Sequence, residues 1–82
     1  MIVTFYTKEH CPLCDKGYRE VETFAKEYEL SIRKVDIYSD DTLLEKFHLM
    51  IPVVYYESHE LGFGQLSADE LEESFKQIEK EK

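Results

Sequence analysis

Scarcity defines this chain more sharply than abundance. Its 82 residues include no tryptophan, two cysteines, two prolines and three glycines. Two cysteines are too few for a secreted disulfide scaffold, which spreads four or more along a short chain. Basic residues are also sparse: ten Lys and Arg face 18 Asp and Glu, a net charge of −8. That balance opposes binding to a nucleic-acid backbone, which needs a clustered basic face, and to an anionic membrane surface. No run approaches the roughly 20 apolar residues of a membrane helix. The opening Met1-Ile2-Val3-Thr4-Phe5-Tyr6 has no basic n-region or cleavage site, so it reads as a strand and not as a signal peptide. A reducing, cytoplasmic location and a monomer are the expectations. No repeat, linker or low-complexity tract divides the chain, so residues 1–82 are expected to form a single domain.

What the chain does have is apolar bulk. Hydrophobic residues make up 43%, with five Phe and six Tyr, enough for a packed core in a domain this small. Ile2 to Tyr6 suits a central strand. Helix one is predicted over 12–29. There Pro12 suits the first helical position, and Tyr18, Val21, Phe24, Ala25 and Tyr28 recur at helical spacing. Ser31 to Tyr38 reads as a second strand. Ser39, Asp40 and Asp41 are good caps for a short helix bearing Leu43, Leu44 and Phe47. Val53 to Tyr56 and Glu60 to Phe63 form a hairpin across a turn at Glu57-Ser58-His59. Ser67 and Glu70 form a capping box before helix three, whose stripe is Leu71, Phe75 and Ile78. The Lys- and Glu-rich tail is expected to fray. The order is β-α-β-α-β-β-α, an α/β class with a right-handed parallel crossover between the first two strands.

Both cysteines fall in one motif, Cys11-Pro12-Leu13-Cys14, where a strand has ended and a helix begins. Unpaired N–H groups and the helix dipole favour negative charge at that point. They lower a thiol's pKa from its usual ~8.5 and so populate the reactive thiolate. Lys8 and His10 add positive potential. Cys14 lies one turn further in, on the same side of the helix. Cys11 is therefore the nucleophile and Cys14 the resolving thiol. Two other readings stay open. A CxxC is half of a four-thiolate metal site, so a second copy of the chain would complete an iron–sulfur or zinc centre. His10, His48 and His59 show no paired ligand spacing that would complete one within the chain. An interaction domain without redox turnover is the other. Gly17 inside helix one calls for close packing, and Gly62 and Gly64 for a bulge or tight turn.

The segment from Phe5 to Cys14 resembles the active-site segment of the glutaredoxins. Val35-Asp36-Ile37 resembles their second strand, and Met50-Ile51-Pro52-Val53 the approach to their third. The resemblance covers residue 1 to about 80 and is nearest to the divergent glutaredoxin-like group with a Cys-x-Leu-Cys motif. It implies a thioredoxin/glutaredoxin fold: a four-stranded mixed sheet, order 2-1-3-4, flanked by three helices. It implies a cis bond before Pro52 and docking of a substrate chain on Ile51 backbone groups; from their own places beside the motif, Lys8 is a candidate contact for a substrate carboxylate, and Pro12 and Leu13 are candidate substrate contacts. It also implies a thiol–disulfide oxidoreductase acting on protein or small disulfides. Such an enzyme needs no bound cofactor or metal, and a thiol donor (glutathione or a thioredoxin-type reductase) supplies its electrons. Three departures stand out. Leu13 replaces the usual Tyr or Phe, Met50-Ile51 replaces Thr-Val, and Leu61-Gly62-Phe63-Gly64-Gln65 replaces a Gly-Gly pair followed by Asp.

Overall fold

Period-two alternation in the strands decides which side of the sheet each helix covers. The computed structural model describes residues 1–81. The chain runs β1 (Ile2–Thr7), α1 (Pro12–Glu27), β2 (Ser31–Asp36), a 3-10 turn (Ile37–Ser39) and α2 (Asp41–Phe47). It continues through β3 (Val53–Tyr56), β4 (His59–Phe63) and α3 (Ala68–Lys80). The sheet order is β2-β1-β3-β4. β1 pairs parallel with β2 and antiparallel with β3, and β3 pairs antiparallel with β4. This is the mixed sheet with three helices that the element order led us to expect, a thioredoxin fold.

Val3 and Phe5 on β1 and Val54 and Tyr56 on β3 point to one face, where they pack with Val21, Phe24, Leu71 and Phe75 of α1 and α3. Tyr6, Val53 and Tyr55 point to the other, against Phe47 of α2 and Ile37. Each large apolar side chain so buried stabilises the fold by roughly 1.5–3 kcal/mol. The rings of Phe24 and Phe75, 5.5 Å apart, pin α1 to α3 edge-to-face. β2 is an edge strand. Its exposed Arg33, Lys34 and Asp36 discourage pairing with another chain. Among the described residues no helix is long and apolar enough to cross a membrane.

Four boundaries differ from the sequence reading. The second strand stops at Asp36, not Tyr38, because side chains capture the backbone there. Asp36 Oδ1 accepts the Tyr38 N–H at 2.9 Å, and Ser39 Oγ donates to the Asp36 carbonyl at 2.6 Å. α1 stops at Glu27, two residues short, with Glu29 in the left-handed region at φ 55°. His59 opens β4 and does not belong to the turn, which is Glu57-Ser58 with Glu57 at φ 57°. Helix three holds to Lys80 where fraying was expected. Its Lys76–Glu72 pair, 3.1 Å apart at i,i+4 spacing, and its basic last turn suit the helix dipole. The β4 bulge falls beside Gly62, which pairs with Val54 while Glu60 pairs with Tyr55.

Candidate active site

β1 delivers the chain to a three-residue loop, and His10 turns it into α1 by adopting φ 55°. Cys11 is the N-cap residue, extended at φ −124° and ψ 96°, and Pro12 occupies the first turn as expected. The Cys11 carbonyl accepts the Asp15 N–H at 3.0 Å, which closes the first helical turn. Cys11 Sγ accepts the Cys14 N–H at 3.1 Å. The sulfur thus takes the place of the usual cap oxygen, and one orphan donor of the helix end points at it. Cys11 and Cys14 are joined as a disulfide with Cα atoms 5.1 Å apart, within the ordinary range for such a bond. Cys14 is 1% exposed and Cys11 8%. Of the two cysteines, the N-cap residue is the less deeply buried. Pro12 is exposed and Leu13 is 41% exposed, so the turn between the cysteines faces outward.

The second wall of the site comes from the segment after α2. The Ile51–Pro52 peptide is cis, as the glutaredoxin resemblance implied. Ile51 is half-buried and Pro52 buried. The Met50 and Ile51 N–H groups both donate to the Phe47 carbonyl, at 2.8 and 3.1 Å. Gly64 N–H donates to the Met50 and Pro52 carbonyls at 3.0 and 2.8 Å, tying this loop to the end of β4. Gly64 has φ 71°, a conformation that suits glycine. The Ile51 N–H is therefore committed within the chain.

Gly17 joins the two walls. Cys14, Gly17 and Val21 follow one another on the buried face of α1. A Cβ at position 17 would lie 3.1 Å from Pro52 Cγ and 3.1 Å from Leu66 Cδ1. Glycine within a helix costs about 1 kcal/mol relative to alanine. The close approach of Pro52 and Leu66 is the reason for it here. Sequence reasoning singled out Gly17 but had no signal for Leu66 or for the Gly64 bonds, which join segments distant along the chain.

Lys8 is half-buried on the wall of an open cavity of about 340 Å³ shared with His10, Lys34, Glu9, Asp15 and Asp36. Lys34 and Asp36 belong to β2, and His10 and Asp15 flank the Cys11–Cys14 turn, so the cavity lies between the end of β2 and the start of α1. Lys8 and Lys34 there are interleaved with the carboxylates of Glu9, Asp15 and Asp36, so Lys8 and His10 do not form an isolated positive patch. Lys34 Nζ also sits 4.6 Å from the centre of the Tyr18 ring. Among the described residues, no cluster of three or more His, Cys, Asp or Glu side chains is placed to hold a metal ion.

A strand leading into a CxxC-capped helix, with a cis-proline before an antiparallel strand, defines a member of the thioredoxin superfamily. The chain belongs to the glutaredoxin-like domain family (DUF836), whose model matches residues 2–82. Solved structures agree on the fold. The structural-genomics target protein XcR50 from X. campestris superposes with a TM-score of 0.77 at 22% identity, over 92% of this chain and 96% of that one. Thioredoxin 1 from Thermosipho africanus gives 0.68 at 16% identity, over 98% and 96%. Fasciola hepatica thioredoxin gives 0.58 at 23% identity, over 93% and 78%. At such identities the likeness speaks for the architecture. With the Cys11–Cys14 pair at disulfide distance, it is consistent with a redox role.

Proposed function

We propose that the protein is a dithiol oxidoreductase of the glutaredoxin type, reducing disulfides of proteins or small molecules in the cytoplasm. One observation carries the reading. Cys11 Sγ caps α1 and accepts the Cys14 N–H at 3.1 Å, which is where a thiolate gains most from a helix end. In the reduced protein the Cys11 thiolate attacks one sulfur of a substrate disulfide. The Cys11–substrate S–S bond forms, the substrate S–S bond breaks, and the departing sulfur leaves as a thiolate that takes a proton from water. The Cys14 thiol then loses its proton to water and attacks Cys11 Sγ, releasing the second substrate thiol. The substrate gains two electrons and the Cys11–Cys14 pair loses two. A low-molecular-weight thiol such as glutathione, or a thioredoxin-type reductase, restores the dithiol.

Exposed Pro12 and Leu13 form the floor that a substrate meets, with Ile51 and Pro52 at its side. The Ile51 carbonyl offers one backbone acceptor, so docking is a single-bond form of strand addition. Leu13 favours apolar over aromatic-stacking partners. Lys8 serves substrate carboxylates that extend over the β1–β2 cavity. The monomer is sufficient, because both sulfurs and both walls come from one chain.

Cys14→Ser provides the test. Mixed with a small disulfide, this variant accumulates a mixed disulfide mapped to Cys11 by mass spectrometry, whereas the wild type passes through it to the closed pair. No adduct at Cys11, or equal labelling at Cys14 in Cys11→Ser, contradicts the assignment. Either result would turn attention to the interchain cluster or to a redox-silent interaction domain.

A further inference from the structure

We propose that Gly17 is a positioning residue for this exchange reaction, its missing side chain setting how closely Pro52 approaches the α1 turn that carries Cys14. The inference rests on the proposed activity and deepens it. Gly17 is buried and helical, and Gly64 is the glycine held at a positive φ. Backbone conformation therefore does not demand glycine at 17, and helix propensity argues against it. Space is what remains. A Cβ there would meet Pro52 Cγ and Leu66 Cδ1, each at 3.1 Å.

The two neighbours differ in how they can yield. The Leu66 side chain can turn about its own bonds. The Pro52 ring is closed onto its backbone nitrogen, so beyond a change of ring pucker at Cγ it moves only with the chain. That chain is held at three points: Ile51 N–H on the Phe47 carbonyl, Gly64 N–H on the Pro52 carbonyl, and Val53 paired with Tyr6 of β1. A methyl group at 17 thus acts as a wedge between α1 and the Ile51–Pro52 wall. It shifts the wall that an extended substrate lies along, while Cys11 Sγ, at the helix end, stays where the cap holds it. A substrate with a polypeptide on its disulfide feels that shift. A disulfide small enough to meet only the sulfur does not.

The experiment compares wild type, Gly17→Ala, Leu66→Ala and the double variant, all as full-length chains. Dithiothreitol is the electron donor. The substrates are insulin as a protein disulfide and bis(2-hydroxyethyl) disulfide as a small one, with urea unfolding as the structural control. Gly17→Ala is expected to lose about tenfold in kcat/KM on insulin and no more than about twofold on the small disulfide, since a small misplacement penalises oriented attack. Adding Leu66→Ala to Gly17→Ala relieves one contact and leaves the Pro52 contact. The selective loss is expected to persist there, and the double variant gives the reading even if the single one folds poorly. Equal losses on both substrates, no loss at all, or full recovery in the double variant would overturn the proposal. Wild type inert towards both disulfides would overturn the exchange reading and this proposal with it. An active wild type with an unselective Gly17→Ala overturns this proposal alone.

Discussion

Two carboxylates from different helices face each other far from the sulfurs, and single side chains there set a pH response. Glu27 of α1 shares a hydrogen bond with Glu72 of α3. That bond, Glu72's negative charge and partial desolvation raise the Glu27 pKa above its usual 4.5, with Lys76 opposing. Glu72 is lowered, first by its hydrogen bond from Lys76 and then by the one with Glu27. The Lys76 ammonium is raised in turn by Glu72. A raised carboxyl favours the folded state below pH 4.5 and loses that contribution as pH climbs through its folded value. The lowered Glu72 does the reverse: its contribution is present above 4.5 and is lost as pH falls through its folded value. Glu27→Gln therefore raises the thermal midpoint slightly at pH 7 and leaves it unchanged below pH 4.5. Added salt shrinks the gain, because these groups are exposed. A gain of equal size at both pH values would contradict this account.

At the scale of elements, the end of α1 is the weakest piece of local chemistry. Leu30 N–H reaches the Ala25 carbonyl at 2.8 Å and Glu29 N–H the Lys26 carbonyl at 3.4 Å, the bonding of a Schellman ending. The residue in the left-handed position is Glu29 and not glycine. A side chain there costs roughly 1–2 kcal/mol, partly offset by the greater freedom of glycine in the unfolded chain. Glu29→Gly is expected to stabilise by up to about 1 kcal/mol, a rise of several degrees in the thermal midpoint. A fall would show that the Glu29 side chain does more than occupy a turn. The start of α3 is better built. Ser67 Oγ accepts the Glu70 N–H, and Glu20 of α1 accepts the Ala68 N–H at 3.0 Å. Ser67 was legible as a cap from its own neighbours. Glu20 was not, because its partner lies 48 residues away in sequence. The end of β2 misled for the opposite reason. Apolar Ile37 continued the strand pattern, but it buries itself against α2 from a 3-10 turn made by Asp36 and Ser39.

For the whole molecule, what was legible was local. The strand before Cys11, Pro12 at the helix start and the stripes of α1 and α3 are written in short-range periodicity, and these residues form the elements they predict. The parallel crossover and the hairpin followed from the element sequence, and the sheet order from the glutaredoxin resemblance. The site's second wall was legible only as far as Ile51-Pro52 itself. That Ile51 spends its N–H on Phe47, that Gly64 ties the loop to β4, and that Gly17 makes room for Pro52 depend on how the loop, β4 and α1 pack together. No local pattern announces them. Lys8 shows the same limit: the cavity it lines also takes in Lys34 and Asp36 of β2, which no local pattern places beside it. The central claim concerns a reversible exchange between two sulfurs, and the most direct measurement is a redox equilibrium. The protein is incubated across a series of glutathione buffers, its free thiols are alkylated, and the products are weighed. The account predicts that both thiols disappear together as the buffer becomes oxidising, with a potential in the thioredoxin-fold range of roughly −270 to −120 mV. Two thiols still open to alkylation in the most oxidising buffer, with no closed Cys11–Cys14 species, would contradict it.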